Sequence, residues 1–256
     1  MRRRWDRAYN AFLRWFLLRV GGLVARMIFK VTVVGAENLP EGESVLVISN
    51  HFSWFDGALL TFHLPLRFAY LVAVEAQRMW PIRLYMRAFD GISVWRGQVD
   101  RKALRTALDR LRQGRSIGIF PEGGIDPSLA EQRARGELIQ ESFVEDYSNH
   151  AARRDARLAP PQPGVAYLAV KSGVRILPVA LIGTEQVIDN FRRRRRTPVT
   201  MVVGPLFGPL AIDEGVSKQE RRRQLDAVAE QFMLRLAMLF PPEYQGPYRS
   251  QLANDL

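Results

Sequence analysis

A chain of 256 residues has room for one full α/β domain with an ample core, and a hydrophobic content of 47% belongs to a folded protein. No cysteine is present, which excludes disulfides, a thiol nucleophile and thiolate zinc sites. The three scattered histidines offer no metal-ligand spacing, so no metal is expected. The formal charge of +11 sits in two places: Arg2, Arg3, Arg4, Arg7, Arg14, Arg19, Arg26 and Lys30 at the start, and the unbroken run Arg192–Arg196. Such clusters call for an anionic surface, either nucleic acid or acidic lipid.

The first predicted element is a helix over residues 1–30. Trp5, Tyr9, Phe12, Phe16, Val20, Leu23 and Met27 recur at steps of three or four and form one stripe, with Arg3, Arg7 and Arg14 on other faces. An aromatic stripe backed by arginines suits a membrane interface, rings at the headgroup boundary and guanidinium groups on phosphates. Trp5, Tyr9, Phe12, Phe16 and Arg14 are the expected contacts. Arg14, Arg19 and Arg26 break every apolar run well short of the ~18 residues a bilayer crossing needs. The expectation is a protein held, peripherally or monotopically, on the cytoplasmic face of a membrane, with residues 31–256 as a single domain.

That domain reads as alternating strands and helices. β-rich runs occur at Val31–Val34, Val45–Ile48, Phe68–Val74, Ile92–Trp95, Ile117–Phe120, Arg175–Leu181 and Val199–Val203. The clearest helix between them runs from about Asp100 to Gln113, with Leu104, Ala107, Leu108 and Leu111 on one face and Gly114 at its end. Ser217 and Glu220 make a capping box before a last long helix. The fold class is therefore α/β, a mixed and largely parallel sheet flanked by helices. Residues 126–159 break the rhythm: they are densely charged, carry no strand pattern, and read as an inserted, solvated helical excursion.

Two segments share a spelling, Ser49-Asn-His-Phe-Ser-Trp-Phe-Asp56 and Ser148-Asn-His-Ala-Ala-Arg-Arg-Asp155. The first follows a buried-type strand and opens a helical pattern through Leu59, Leu60 and Phe62, and a strand-to-helix loop is where α/β sheets hold ligands. With the helix beginning near Ser53, Asp56 can curl back to His51 Nδ1 and leave Nε2 free to take a proton. The second copy lies in the charged excursion, where His150 is expected in solvent and Asp155 paired with a neighbouring arginine; it reads as coincidence. No G-x-S-x-G serine is present, so a His–Asp pair without a protein nucleophile points to activating a hydroxyl of the substrate.

Further blocks follow in order: Ile92-Ser-Val-Trp-Arg96, Phe120-Pro-Glu-Gly123 and Ile176-Leu-Pro-Val179. With Asn50-His51-Phe52-Ser53-Trp54-Phe55-Asp56 they resemble the glycerolipid acyltransferases, the family of 1-acylglycerol-3-phosphate (lysophosphatidic acid) acyltransferases, over about residues 35–210. The resemblance implies acyl transfer from an acyl-CoA or acyl-carrier-protein thioester to a lipid hydroxyl, with no cofactor beyond that co-substrate. His51 is then the general base and Asp56 its partner. Arg96 holds the acceptor's phosphate. Phe120, Pro121, Glu122 and Gly123 help to bind the acceptor. Asn50, Ser53 and Pro178 belong to the same blocks and are assigned to the substrate side, Ser53 being also placed to cap the helix. Membrane lipids are the implied partners; nothing assigns an oligomeric state.

The third block departs from the family's pattern. It usually continues Thr-Arg or Thr-Ser, and here it runs Gly124-Ile125. A hydroxyl and a cation are missing beside the acceptor, so a glycolipid, an ornithine-type lipid or a carotenoid glycoside stands as an alternative to 1-acylglycerol-3-phosphate. Of other classes, a nucleic-acid-binding protein accounts for the charge, yet no RNA-binding motif appears and no nucleic acid is expected. Gly118–Gly123 lacks the Lys-Ser or Lys-Thr of a P-loop.

Overall fold

The computed structural model describes residues 2–95, 100–125, 152–153, 155–162 and 165–254. Helix α1 (Arg2–Phe16), a π-helical turn (Leu17–Gly21) and helix α2 (Gly22–Ile28) follow without a break and pass directly into strand β1 (Phe29–Val34). Then come β2 (Leu46–Ser49), α3 (Asp56–His63), β3 (Phe68–Ala73), α4 (Trp80–Ala88), β4 (Ile92–Val94), α5 (Arg101–Arg112) and β5 (Ser116–Ile119). The described chain resumes with α6 (Val165–Ser172), β6 (Ile176–Ile182), α7 (Val187–Arg192), β7 (Thr197–Val203), α8 (Lys218–Ala237) and α9 (Arg249–Asn254). Each expected strand overlaps an observed one.

The strands form one sheet in the order β1-β7-β6-β2-β5-β3-β4. Neighbours run parallel except β6 with β7, as expected where helical crossovers return the chain to the same edge. Strand β2 lies inside, between β6 and β5. Its successive residues face opposite sides: Val47 joins a core with Leu59, Leu60, Phe68 and Val179, while Leu46 and Ile48 join another with Ala107, Ile117 and Phe232. A strand buried on both faces needs a continuous apolar run, which is why Val45–Ile48 is readable. The expected caps form: Asp100 Oδ1 accepts from the Lys102 and Ala103 amides at 3.1 and 2.9 Å, and Ser217 Oγ accepts from the Glu220 amide at 3.1 Å.

In β5, Gly118 makes room for an aromatic ring. A Cβ there would lie 2.2 Å from Tyr70 Cε1, and Tyr70 in turn stacks on Phe120, centroids 6.4 Å apart. Gly118→Ala is expected to lower stability by about 1–3 kcal/mol through overpacking and to shift Phe120; a thermal melt indistinguishable from wild type would contradict the packing described.

The N-terminal helical segment lies against the domain by a narrow line. Leu13 and Leu17 pack on Leu84, Ala88 and Phe89, Gly21 sits where a Cβ would meet Phe62 Cζ at 2.7 Å, and Ala25 enters the main core. The expected stripe faces outward: Phe12 is 61% and Met27 70% exposed, and Tyr9, Phe16, Val20 and Leu23 are exposed with them. Trp15, Leu18 and Val24 widen the apolar surface; the side chain of Trp5 lies outside the described residues. Arg14 is a correction. Instead of facing a membrane it turns inward, its guanidinium 5.8 Å from the Phe89 ring. Burial, with Arg115 and Arg67 nearby, lowers its pKa, and Asp90 opposes that.

The charged excursion also needs correcting at its returning end. Residues 126–151 lie outside the described residues, His150 among them. The arm that follows is not solvated throughout. Arg153 and Leu158 are buried, Ala152 bridges Ser53, and the Leu158 amide donates to the Tyr244 carbonyl at 2.8 Å. Asp155 behaves as expected, exposed and paired with Arg157 at 3.3 Å.

Candidate active site

Strand β2 ends at Ser49, and the next residues form a loop over the edge where the parallel strands terminate. Asn50 ties this loop to β6: its Nδ2 donates to the Leu181 carbonyl and its Oδ1 accepts from the Leu181 amide, both at 2.8 Å. With both ends of the amide bonded to Leu181 and the side chain fully buried, Asn50 has a structural task in place of the substrate contact expected of it.

Helix α3 begins at Asp56, three residues later than expected, because the carboxylate organises the loop before it. Asp56 Oδ2 accepts from the Phe52 amide at 2.8 Å and the Ser53 amide at 2.7 Å, and lies 3.1 Å from His51 Nδ1. Two backbone donors fix the carboxylate, and the carboxylate fixes the ring. Ser53 is fully buried, its Oγ accepting from Phe55 N at 3.4 Å; no side chain caps α3. The imidazole stacks on Phe120 at a centroid distance of 4.1 Å and 16° between planes. It keeps 17% of its side-chain surface open, and no hydrogen bond to Nε2 is seen among the described residues.

The third block forms the turn beneath. Gly123 takes a left-handed φ of 77°, and a Cβ there would meet Gln162 Cγ at 2.3 Å. Glu122 is buried, and its Oε1 accepts from the His51 amide at 3.2 Å while Oε2 accepts from the Ala159 amide at 3.3 Å. Burial pushes its carboxyl up to about 7; the Arg153 guanidinium and the two amides pull the other way. Arg153 forms an ion pair with Glu122 Oε2, a partner 31 positions away that sequence reasoning missed. Nothing local distinguishes it from Arg133, Arg135 or Arg154 in the same stretch.

Pro178 lies inside the sheet, opposite Ile48 of β2 and one residue before the ladder with β7 begins. Its carbonyl accepts from the Gly204 amide at 2.9 Å on the β7 side. A residue's N–H and C=O point to the same side of a strand, so the absent donor removes no bond to β2. The residue shapes the sheet and is buried. Arg96 lies outside the described residues; β4, which precedes it, ends at the same sheet edge as β2, three strands away.

A fixed carboxylate, an imidazole held by one nitrogen and open at the other, and a loop at the carboxyl edge of a parallel sheet are the geometry that general-base chemistry requires, at the place where such sheets hold ligands. The acyltransferase family model matches residues 30–182, which contain every element of this site, and the chain belongs to that family. Among its relatives are a 1-acyl-sn-glycerol-3-phosphate acyltransferase of Borreliella burgdorferi, 28% identical over 72% of this chain and 64% of the relative, and a lyso-ornithine lipid O-acyltransferase of Pseudomonas aeruginosa, 27% identical over 82% and 74%. A third, a 1-acyl-sn-glycerol-3-phosphate acyltransferase of Chlamydomonas reinhardtii, is 25% identical over 85% of this chain and 55% of the relative. The chain thus spans somewhat less than two thirds of the length of the Borreliella and Chlamydomonas relatives. The crystal structure of the 1-acyl-sn-glycerophosphate acyltransferase of Thermotoga maritima shares the fold, with a TM-score of 0.55 and 23% identity over 85% of this chain and 78% of that one.

Proposed function

We propose that this protein transfers a fatty acyl group from an acyl-CoA or acyl-carrier-protein thioester to the hydroxyl of a lysolipid at a membrane surface, 1-acylglycerol-3-phosphate being the leading acceptor. The observation that carries it is the His51 Nδ1–Asp56 Oδ2 contact of 3.1 Å. It leaves Nε2 to remove the hydroxyl proton as the oxygen attacks the thioester carbonyl. The tetrahedral adduct then expels the thiolate, which takes that proton back from the imidazolium, giving ester and free thiol. Asp56 stabilises the imidazolium between the two steps. A thioester is already activated, so neither ATP nor a metal enters the balance.

The acceptor's phosphate is assigned to Arg96. Strands β2, β5, β3 and β4 are adjacent and parallel, so the end of β4 is roughly 14 Å from that of β2, three strand spacings. A guanidinium suits phosphate by its planar fork of donors. Arg96→Ala is expected to raise the acceptor KM by about tenfold or more and the donor KM little, with Arg96→Lys only partly restoring it because the bidentate contact is lost. Steady-state kinetics with each substrate varied checks this; equal effects on both would assign Arg96 to structure.

An ornithine-type lysolipid is the second reading. It is favoured by Gly124 and Ile125, which put neither hydroxyl nor cation after Glu122, and by the lyso-ornithine relative, matched over 82% of this chain. Labelled acyl-CoA offered with lysophosphatidate and with lyso-ornithine lipid in parallel, followed by mass spectrometry of the product, decides between them. No acylated product from any lysolipid would overturn the proposed activity.

A further inference from the structure

The arm that returns from the charged insertion is built into the catalytic loop, and Arg153 is its centre. Its guanidinium donates from Nε to the Ile125 carbonyl at 2.8 Å, from Nη2 to the Gly124 carbonyl at 3.2 Å and from Nη1 to the Arg157 carbonyl at 2.7 Å, besides the ion pair with Glu122. Its Cζ lies 5.1 Å from the centroid of the Phe52 ring, and its own amide donates to the Phe52 carbonyl at 2.7 Å. The Gln162 amide closes the arm onto Pro121 O at 2.8 Å. One side chain therefore touches both halves of the site, the loop that carries His51 and the turn that carries Phe120 and Glu122. Gly124 and Ile125 occupy the positions where the resembling family carries a hydroxyl and a cation. Here the cation comes from a distant segment and grips the backbone of those same residues.

The geometry points to Arg153 as a positioning residue for acyl transfer: it pairs with Glu122 and holds the Phe120–Ile125 turn, so that Glu122 anchors the His51 amide and Phe120 stays against the imidazole. The inference rests on the reading of His51 as the general base. Arg153 itself is buried with its donors engaged and does not reach substrate. Its influence is transmitted by Glu122, which is otherwise an expensive group to bury: an unpaired carboxylate in such a site takes up a proton instead. Protonated, Glu122 exchanges two charge-assisted bonds from the His51 and Ala159 amides for weaker neutral ones.

Among the described residues, the other ionisable side chains near Glu122 are His51, with Asp56 behind it on the same loop, and Tyr248 from the C-terminal side, with Glu230 of α8 acting on Tyr248 in turn; Arg157 follows on the arm. Tyr248 is pushed above the ordinary tyrosine range by burial first and then by Glu230 and Glu122. None of these replaces Arg153: the Arg157 side chain is exposed and paired with Asp155. Removing Arg153 takes away the main force opposing burial, so the Glu122 carboxyl moves up from about 7 and is neutral at pH 7.

The test compares Arg153→Gln, Arg153→Lys and the double variant Arg153→Gln/Glu122→Gln with wild type and His51→Ala. The ratio of variant to wild-type kcat is followed from pH 7 to 9, which cancels titrations common to both. For Arg153→Gln the expected loss is about 10- to 100-fold at pH 7, the size of a sub-ångström misplacement of a catalytic group. It should shrink to about threefold by pH 9 as Glu122 ionises, with both KM values little changed. In the double variant the loss relative to wild type should not shrink as the pH rises, since an amide in place of the Glu122 carboxyl cannot ionise, and at pH 9 the protein should melt higher than Arg153→Gln, whose Glu122 is then charged without its partner. Arg153→Lys keeps the charge and loses the fork, so its ratio should be flat and about three- to tenfold down. If Arg153→Gln does not fold, Arg153→Lys decides alone: wild-type kcat overturns the inference. A folded Arg153→Gln within threefold of wild type at pH 7, or equally impaired at every pH, also overturns it. An active His51→Ala would instead bring down the reading of the base, whatever Arg153 does.

Discussion

His51→Ala should reduce acyl transfer by about 10²–10⁴-fold, the usual worth of a positioned base, while far-ultraviolet circular dichroism and membrane binding remain those of wild type. The fold should survive because the imidazole is not what holds the loop together. That task falls to Asp56, whose Oδ2 receives the Phe52 and Ser53 amides as well as the ring. The two residues therefore fail differently. Asp56→Asn can present one oxygen to the same donors, so it should fold, but it withdraws the charge that stabilises the imidazolium and should lose about 10²-fold or more in kcat. Asp56→Ala leaves two buried amides without an acceptor and should also lose about 1–3 kcal/mol for each, visible as a lower melting temperature. Initial rates with labelled acyl-CoA, taken beside the melts, separate the three. A His51→Ala enzyme within tenfold of wild type would remove His51 from the chemistry.

How far the sequence discloses this arrangement depends on the distance between partners. His51 and Asp56 are five residues apart, and a single turn of chain brings them together, so the pairing is legible without the fold. The strands are legible for a similar reason: a run such as Val45–Ile48 declares burial on both faces by its own composition. Asn50 reads locally as a polar loop residue, and only the meeting of β2 with β6 shows its amide closing both ends on Leu181. Glu122 is recognisable as part of a block, but its countercharge lies across a stretch with several arginines, any of which satisfies the charge balance on paper. Helix α3 starts late because the Asp56 carboxylate draws the Phe52 and Ser53 amides back onto itself, which keeps the residues before it in a loop. Arg14 shows the same limit from the other side. Periodicity sorts a helix into faces, but whether an arginine beside the apolar stripe meets lipid or an inner aromatic ring is set by α4, which packs Phe89 beneath it.

The outward surface of the N-terminal helical segment supports the second large expectation, that this segment holds the protein on a membrane. Its inner line (Leu13, Leu17, Gly21, Ala25) already has partners, so among the described residues the exposed Phe12, Trp15, Phe16, Leu23, Val24 and Met27 belong to none of the buried clusters of the domain. Among the described residues no helix is long and apolar enough to span a bilayer, and the geometry fits a helix lying along one. If each of these six side chains recovers only about 0.8 kcal/mol at the interface, half the low end for full burial, binding strengthens by more than about a thousandfold. Deleting the segment is an impure test, because it also strips cover from Phe62 and Phe89. Replacing Phe12, Trp15, Leu23 and Met27 together by serine leaves the inner line intact. That variant should keep its melting temperature and lose about 100-fold or more in partitioning onto vesicles of any charge. Exposed Arg19 and Arg26 should add a further attraction to anionic vesicles, about 1 kcal/mol each, that fades with added salt. Vesicle sedimentation at two salt concentrations, on neutral and on anionic lipid, measures both parts. Unchanged sedimentation of the serine variant with anionic vesicles at high salt, where charge is screened, would show that the aromatic surface is not what meets the membrane.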